Sequence, residues 1–212
     1  MLSSTGFDLW ADGYDRAVGL SEEDGSYPFA GYRAVLGAVY GDIRADRHVR
    51  SVLDMGIGTG TLAARLCEDG YAVTGVDFSP RMLEIARERT GGRARLVAHD
   101  FHQGFPEALS GERFDRIVST YALHHLTDDE KPAFLQSLVD HLAEGGRVLI
   151  GDVAFPTRAE LEACRRKAGD EFDDEECYLV ADELPELPGT RTAFTVMSPC
   201  AGILTLERSA HA

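Results

Sequence analysis

The densest concentration of chemically useful residues in this chain is the run Leu53-Asp54-Met55-Gly56-Ile57-Gly58-Thr59-Gly60. Glycine at alternate positions lets the backbone take positive φ and brings a ligand close with no Cβ in the way. The helix expected after Gly60 offers its free N–H groups to an anionic end of that ligand. The spacing is G-x-G-x-G, one residue short of the G-x-G-x-x-G that a pyrophosphate requires. It suits a more compact ligand carrying an amino-acid group. Asp77 stands 17 residues beyond Gly60, where a carboxylate can accept from the two hydroxyls of a ribose. A helix-capping role for Asp77 is the plainer alternative, but Ser79 is placed to fill it. Phe78 and Met82 carry apolar faces that can flank an adenine, and a core role for Met82 competes. Asp100 can accept from the exocyclic amine of adenine, with Phe101 against its ring.

These residues are useful only if the elements between them converge. Ser51–Met55 reads as a buried strand, and Tyr71–Asp77, Arg95–His99, Phe114–Thr120 and Arg147–Val153 read as further short strands. Helical patterns separate them at Thr61–Asp69, from Ser79-Pro80 to about Thr90, and at Asp128–Leu142. Ser79 caps the second of these, with Pro80 at its first turn; Thr127 is placed to cap the third. That alternation predicts an α/β fold: a doubly wound, Rossmann-like, mostly parallel sheet. The glycine run, Asp77 and Asp100-Phe101 then fall at the C-terminal ends of strands, where open α/β sheets bind ligands. Beyond Pro156, Thr157–Phe172 reads as an amphipathic helix followed by an acidic stretch, Asp170–Glu176. Arg191–Met197 and Gly202–Glu207 then read as an antiparallel hairpin on the sheet edge. Residues 1–212 are expected to form one domain. Residues 1–45 would be a helical cap over the site, 46–155 the ligand-binding core, and 156–212 the helix plus edge hairpin.

Composition narrows the partners. The 212 residues carry 21 Lys and Arg against 36 Asp and Glu, a net charge of -15. A field of that sign repels polyphosphate, so no nucleic acid is expected as substrate. No signal peptide is read at Met1–Trp10 and no membrane-length apolar run is present, so a cytoplasmic protein without membrane contact is expected. Cys67, Cys164, Cys177 and Cys200 are scattered and lack a CxxC pair, which predicts neither a metal site nor a disulfide framework.

Taken together, Asp54-x-Gly56-x-Gly58-x-Gly60, Val76-Asp77-Phe78-Ser79-Pro80-Arg81-Met82-Leu83, Asp100-Phe101, Phe114-Asp115, Ser119-Thr120-Tyr121-Ala122-Leu123-His124-His125-Leu126 and Leu142-Ala143-Glu144-Gly145-Gly146-Arg147 form a pattern. It resembles the class I S-adenosylmethionine-dependent methyltransferases. The opening Phe7-Asp8-Leu9-Trp10-Ala11 with Tyr14-Asp15 is similar to small bacterial members of that family. The resemblance implies S-adenosylmethionine as cofactor and S-adenosylhomocysteine as its product. It implies the methionine moiety over Gly56 and Gly58, Asp54 near its amino group, and Asp77 on the ribose. The adenine would lie by Phe78, Asp100 and Phe101. Thr120 and Tyr121 would line the passage to the methyl group, and Tyr14 would close the site. Many relatives have Glu where Asp54 stands, and the part after about Phe155 is less family-like, so the substrate lid is not inferred.

Methyl transfer from a sulfonium is an in-line displacement, so alignment and exclusion of water are the protein's main tasks. Where the acceptor is protonated, His124 or His125 can take its proton; either ring can equally cap the next helix. Tyr14, Tyr32 and Tyr121 can orient an acceptor, and Asp152 can contact a cationic or hydroxylated one. The resemblance disfavours base or glutamine methylation, because Ser119-Thr120-Tyr121-Ala122 stands in place of an NPPY-like tetrapeptide. A small molecule methylated on O, N, S or C is therefore expected, with the chain acting as a monomer or homodimer. Two other classes compete: a non-catalytic S-adenosylmethionine-binding sensor or scaffold, and a nucleotide-dependent oxidoreductase. The glycine spacing opposes the second.

Overall fold

The computed structural model describes residues 27–209. Five strands follow the expected order: β1 (Ser51–Met55), β2 (Ala72–Asp77), β3 (Arg95–Ala98), β4 (Phe114–Thr120) and β5 (Leu142–Asp152). They pair in parallel in the spatial order β3-β2-β1-β4-β5. The hairpin of β8 (Thr190–Ser198) and β9 (Ala201–Arg208) continues the sheet, with β9 antiparallel to β5. A two-stranded parallel pair, β6 (Ala154–Phe155) and β7 (Leu179–Val180), stands apart.

The central strands β1, β2, β4 and β5 are largely buried because successive side chains feed two different cores, whereas the edge strand β3 has no buried residue. Val52, Val118 and Leu149 join one face, while Leu53, Ile117, Val148 and Ile150 join the other. The first face is covered by α1 (Tyr32–Ala45), through Val35, Val39 and Ile43, and by α2 (Thr61–Glu68) and α3 (Pro80–Arg89). The second is covered by α4 (Lys131–Asp140), through Phe134, Leu135 and Leu138. The two-sided covering explains why these strands read as continuous apolar runs. Trimming one such residue, as in Leu53→Ala, costs about 2–5 kcal/mol. The start of α3 is set locally: Ser79 Oγ accepts from Met82 N at 3.1 Å with Pro80 at the first turn, a cap contributing about 1 kcal/mol.

Three boundaries differ from the sequence expectation. α4 starts at Lys131 rather than Asp128, since Pro132 lacks the N–H that would bond Asp128 and extend the ladder. Thr127 does not cap it. Its N–H and hydroxyl both donate to Glu130 Oε2 at 2.8 Å, closing a turn before the helix. β5 starts at Leu142, opposite Phe114, and Gly145 (φ 70) and Gly146 make a bulge before Arg147 pairs with Arg116. At the third boundary, α5 (Arg158–Ala168) ends at Gly169 (φ 57), short of Phe172, and a 3-10 turn follows. Of the expected N-terminal cap, the turn before Gly31 and α1 are described; Tyr14 and the Phe7–Ala11 motif lie outside the described residues.

Candidate active site

The C-terminal ends of β1, β2, β4 and β5 open onto one cavity of about 550 Å³. It sits where neighbouring parallel strands lead to opposite faces of the sheet, the place such folds reserve for ligands. Asp54, Gly56, Gly58, Asp77, Phe78, Met82, Phe101, Thr120, Tyr121 and His124 all line it. Gly60 and Asp100 do not. Gly60 faces α3, where a Cβ would meet Ala86 at 3.1 Å. Asp100 accepts from His102 N at 3.0 Å and caps the turn that carries Phe101. Its contribution is to present Phe101, whose buried ring reaches the cavity.

The glycine loop is shaped by the strand beside it. Gly56 and Ile57 donate to Val76 O, and Gly58 donates to Asp77 Oδ2 at 2.9 Å. Gly56 takes φ 81 and Gly58 φ 54. A Cβ at Gly56 would stand 2.5 Å from Ala122 Cβ, so the loop lies against the β4 exit with no room for a side chain. Asp77 is 6% exposed, and its other oxygen accepts from Ser79 N at 2.9 Å. It therefore ties the loop to the head of α3. A carboxylate oxygen can accept more than one hydrogen bond, which suits this group to a ligand hydroxyl.

Asp54 is a buried, incompletely satisfied acid of the site. It is 2% exposed, and its Oδ1 has no hydrogen-bond partner among the described residues. Burial first, and the Asp77 charge second, push its carboxyl up to about 7. A buried carboxylate is costly until a cation meets it. The charge, the glycine cradle, the Asp77 acceptor and the apolar faces of Phe78, Met82 and Phe101 fit a ligand with one ammonium, a diol and a flat ring.

The other end of the cavity is aromatic and acidic. Tyr121, at φ 53, is the one non-glycine residue with positive φ among the described residues. Its N–H donates to Gly151 O at 2.8 Å, and its ring lies 5.0 Å from Tyr32 and 5.6 Å from Phe29. The 3-10 turn Leu123–His125 follows. His124 Nδ1 donates to Asp152 Oδ1 at 2.6 Å. Asp152, 1% exposed, also accepts from the N–H groups of Leu123, His124 and Val153. It lies behind the cavity wall, so the expected contact with substrate is replaced by a hold on the histidine turn. Burial lowers the His124 imidazole pKa, but the Asp152 charge and hydrogen bond outweigh it and raise it above the usual value. The same partnership outweighs burial at Asp152 and keeps its carboxyl below the usual range. His125, whose pKa burial lowers, donates Nδ1 to Glu176 Oε2 at 3.0 Å.

Glu176, Tyr178, Asp173 and Glu171 also line this end, and sequence reasoning missed them. The Asp170–Glu176 stretch read only as a charge run. It arrives through long-range contacts: β7 pairs with β6, and Cys177 N donates to His124 O at 2.9 Å. Tyr27 stacks on Phe172 at 5.1 Å, and its hydroxyl bonds that of Tyr178. His124, His125 and Glu176 bring ligand-type atoms within 4.8 Å of one another, a spacing open to a metal ion. In this arrangement each imidazole Nδ1 is held by a carboxylate instead.

Comparison with known proteins gives this geometry a context. A family model described as a methyltransferase domain matches residues 52–146. An uncharacterized methyltransferase of Geobacillus thermodenitrificans is 38% identical over 188 residues, covering 85% of this chain and 84% of that protein. Among solved structures, the complex of DhpI with S-adenosylhomocysteine superposes with a TM-score of 0.70 at 20% identity, covering 98% of this chain and 96% of that one. Magnesium protoporphyrin IX methyltransferase from Synechocystis, with the same product bound, superposes at 0.67 and 21% identity, covering 85% of each chain.

Proposed function

The chain belongs to the class I S-adenosylmethionine-dependent methyltransferases, and from that premise we propose that it methylates a small-molecule acceptor held in the aromatic, acidic end of its cavity. The observation that carries this is the meeting of two environments in one cavity: Asp54, whose Oδ1 has no partner among the described residues, and His124, held from behind the wall by Asp152. A volume of about 550 Å³ suits the cofactor beside a modest acceptor. The net charge of -15 opposes polyphosphate. One structural neighbour, the magnesium protoporphyrin IX methyltransferase, is named for a small-molecule acceptor, which supports the same class.

S-adenosylmethionine, when bound, supplies a methyl group on a positively charged sulfur with a good leaving group. The chain's residues do the rest. Asp54 receives the ammonium of the methionine end, Gly56 and Gly58 admit its backbone, and Asp77 accepts from the ribose. Phe78, Met82 and Phe101 flank the adenine. Thr120 and Tyr121 border the passage to the acceptor, and the surrounding rings make its walls apolar, which strengthens charge interactions inside. Asp152 holds the Nδ1–H of His124, so the proton-accepting nitrogen is Nε2. That nitrogen takes the acceptor's proton when the nucleophile is bound protonated. The experiment is a screen of small amines, alcohols, phenols and thiols for product S-adenosylhomocysteine, run with wild type and His124→Asn. Turnover by wild type with an acceptor in this set supports the reading. No turnover with any of them, by protein that binds the cofactor, counts against it.

A further inference from the structure

The cavity wall is one-sided in charge. Among the described residues lining it there is no Lys or Arg, against five carboxylates: Asp54, Asp77, Glu171, Asp173 and Glu176. Two of the five belong to the cofactor end. S-adenosylmethionine brings a net charge of about +1, from sulfonium, ammonium and carboxylate, and that cation answers Asp54. Glu171, Asp173 and Glu176 remain, at the acceptor end. Residues 1–26 add six acids and one Arg to the chain, so its sequence does not redress the balance.

The three carboxylates have company of a particular kind. Glu176 is 15% exposed and pinned by His125 at 3.0 Å. Asp173 is fixed by accepting from Glu175 N at 2.9 Å, while its own N–H donates to the Tyr27 hydroxyl at 3.1 Å. Between them stand aromatic walls: Tyr27, Phe29, Tyr32, Tyr121 and Tyr178. Aromatic faces beside the half-buried Glu176, with Glu171 and Asp173 exposed at the mouth of the cavity, recognise an organic cation through ring quadrupole and charge together. The same wall disfavours an anion, because no Lys or Arg among the described residues lines it.

Resting on the methyl-transfer reading above, we propose that the acceptor is an amine, taken up as its ammonium ion and methylated on nitrogen. The chemistry balances with residues already in place. The ammonium gives one proton to His124 Nε2. The freed nitrogen lone pair forms the N–C bond to the methyl group as the C–S electron pair returns to sulfur. Positive charge thus moves from sulfur to nitrogen, toward Glu171, Asp173 and Glu176, which stabilise it more at the end of the transfer than at the start. An oxygen nucleophile ends neutral and draws no such benefit.

The test uses protein saturated with S-adenosylhomocysteine, titrated by calorimetry with phenethylamine, 3-phenylpropan-1-ol and 3-phenylpropionate. The amine is expected to bind at least about tenfold tighter than the carboxylate on the same phenylethyl stem. Glu176→Gln and, separately, Asp173→Asn should each weaken it several-fold while S-adenosylhomocysteine affinity stays at the wild-type value. With S-adenosylmethionine, mass spectrometry should find one added methyl on the amine nitrogen. Equal or tighter binding of the carboxylate, no amine binding, or amine binding indifferent to both variants would overturn the proposal. Failure of S-adenosylhomocysteine to bind at all would instead strike the cofactor reading.

Discussion

Replacing Asp54 by Asn should stabilise the protein without ligand and cripple it for binding. The carboxyl is buried with Oδ1 unpartnered among the described residues, and its pKa is lifted from 3.8 to about 7. A shift of roughly 3 units, at about 1.36 kcal/mol each, sets an upper bound of about 4 kcal/mol on the penalty of ionising it in the fold. Relaxation and water entering the open cavity reduce this to about 1–3 kcal/mol. The sign follows from proton binding. Between pH 4 and 7 the folded protein holds this proton more tightly than the unfolded chain, so stability falls as pH rises through that window and levels off above it. The neutral Asn escapes the penalty. Asp54→Asn should therefore unfold a few degrees higher at pH 8, at about 2–4 °C per kcal/mol for this size, with the gain about halved at pH 5.5. Against S-adenosylhomocysteine the order reverses. Losing a charge-assisted contact of about 1.5–3 kcal/mol weakens affinity roughly 10- to 150-fold. Thermal unfolding with and without S-adenosylhomocysteine, at both pH values, reads both effects. A variant less stable than wild type at pH 8 without ligand, or one that binds as well as wild type, would refute the reasoning.

Asp152→Asn should lower kcat by about a hundredfold or more with cofactor affinity unchanged. Because Asp152 holds the His124 imidazole above 6.5, wild-type activity should rise with pH on a limb above that value. The variant's limb should move to lower pH; an unmoved profile would exclude the pair from proton transfer. The same raised imidazole contributes stability below pH 6.5 that is lost as pH climbs past its folded value, which pH-dependent unfolding of wild type and His124→Asn will show. Chelation by EDTA should leave rates and melting temperature unchanged; a loss restored by one divalent metal would reassign His124, His125 and Glu176 as its ligands.

What sequence could reveal was whatever is decided by near neighbours. The buried strands, the turn through Gly56 and Gly58, the Ser79 cap and the position of Asp77 all follow from residues within a few places of one another. Other features depend on distant parts of the chain. Asp54 is conspicuous only once β2 and β4 close around it and leave Oδ1 unpartnered among the described residues. Asp100 sits at the expected strand end, yet the turn it caps draws its side chain away from the cavity. Glu176 reaches His125 because β7 pairs with β6 over an intervening helix, a contact no local pattern announces. Asp152 was legible as a strand-end acid, but its service to the Leu123–His125 turn required the three-dimensional register of β4 on β5.

The most direct test of the account is calorimetric titration of wild type and Asp77→Ala with S-adenosylmethionine and S-adenosylhomocysteine, with NADH as control and circular dichroism to confirm folding. One site is expected for both sulfur nucleosides, none for NADH, and loss of both in the variant, which lacks the proposed ribose acceptor and the Gly58 anchor. A folded wild type that binds neither nucleoside, or a folded variant that binds both unchanged, would contradict the placement of the cofactor at the ends of β1 and β2.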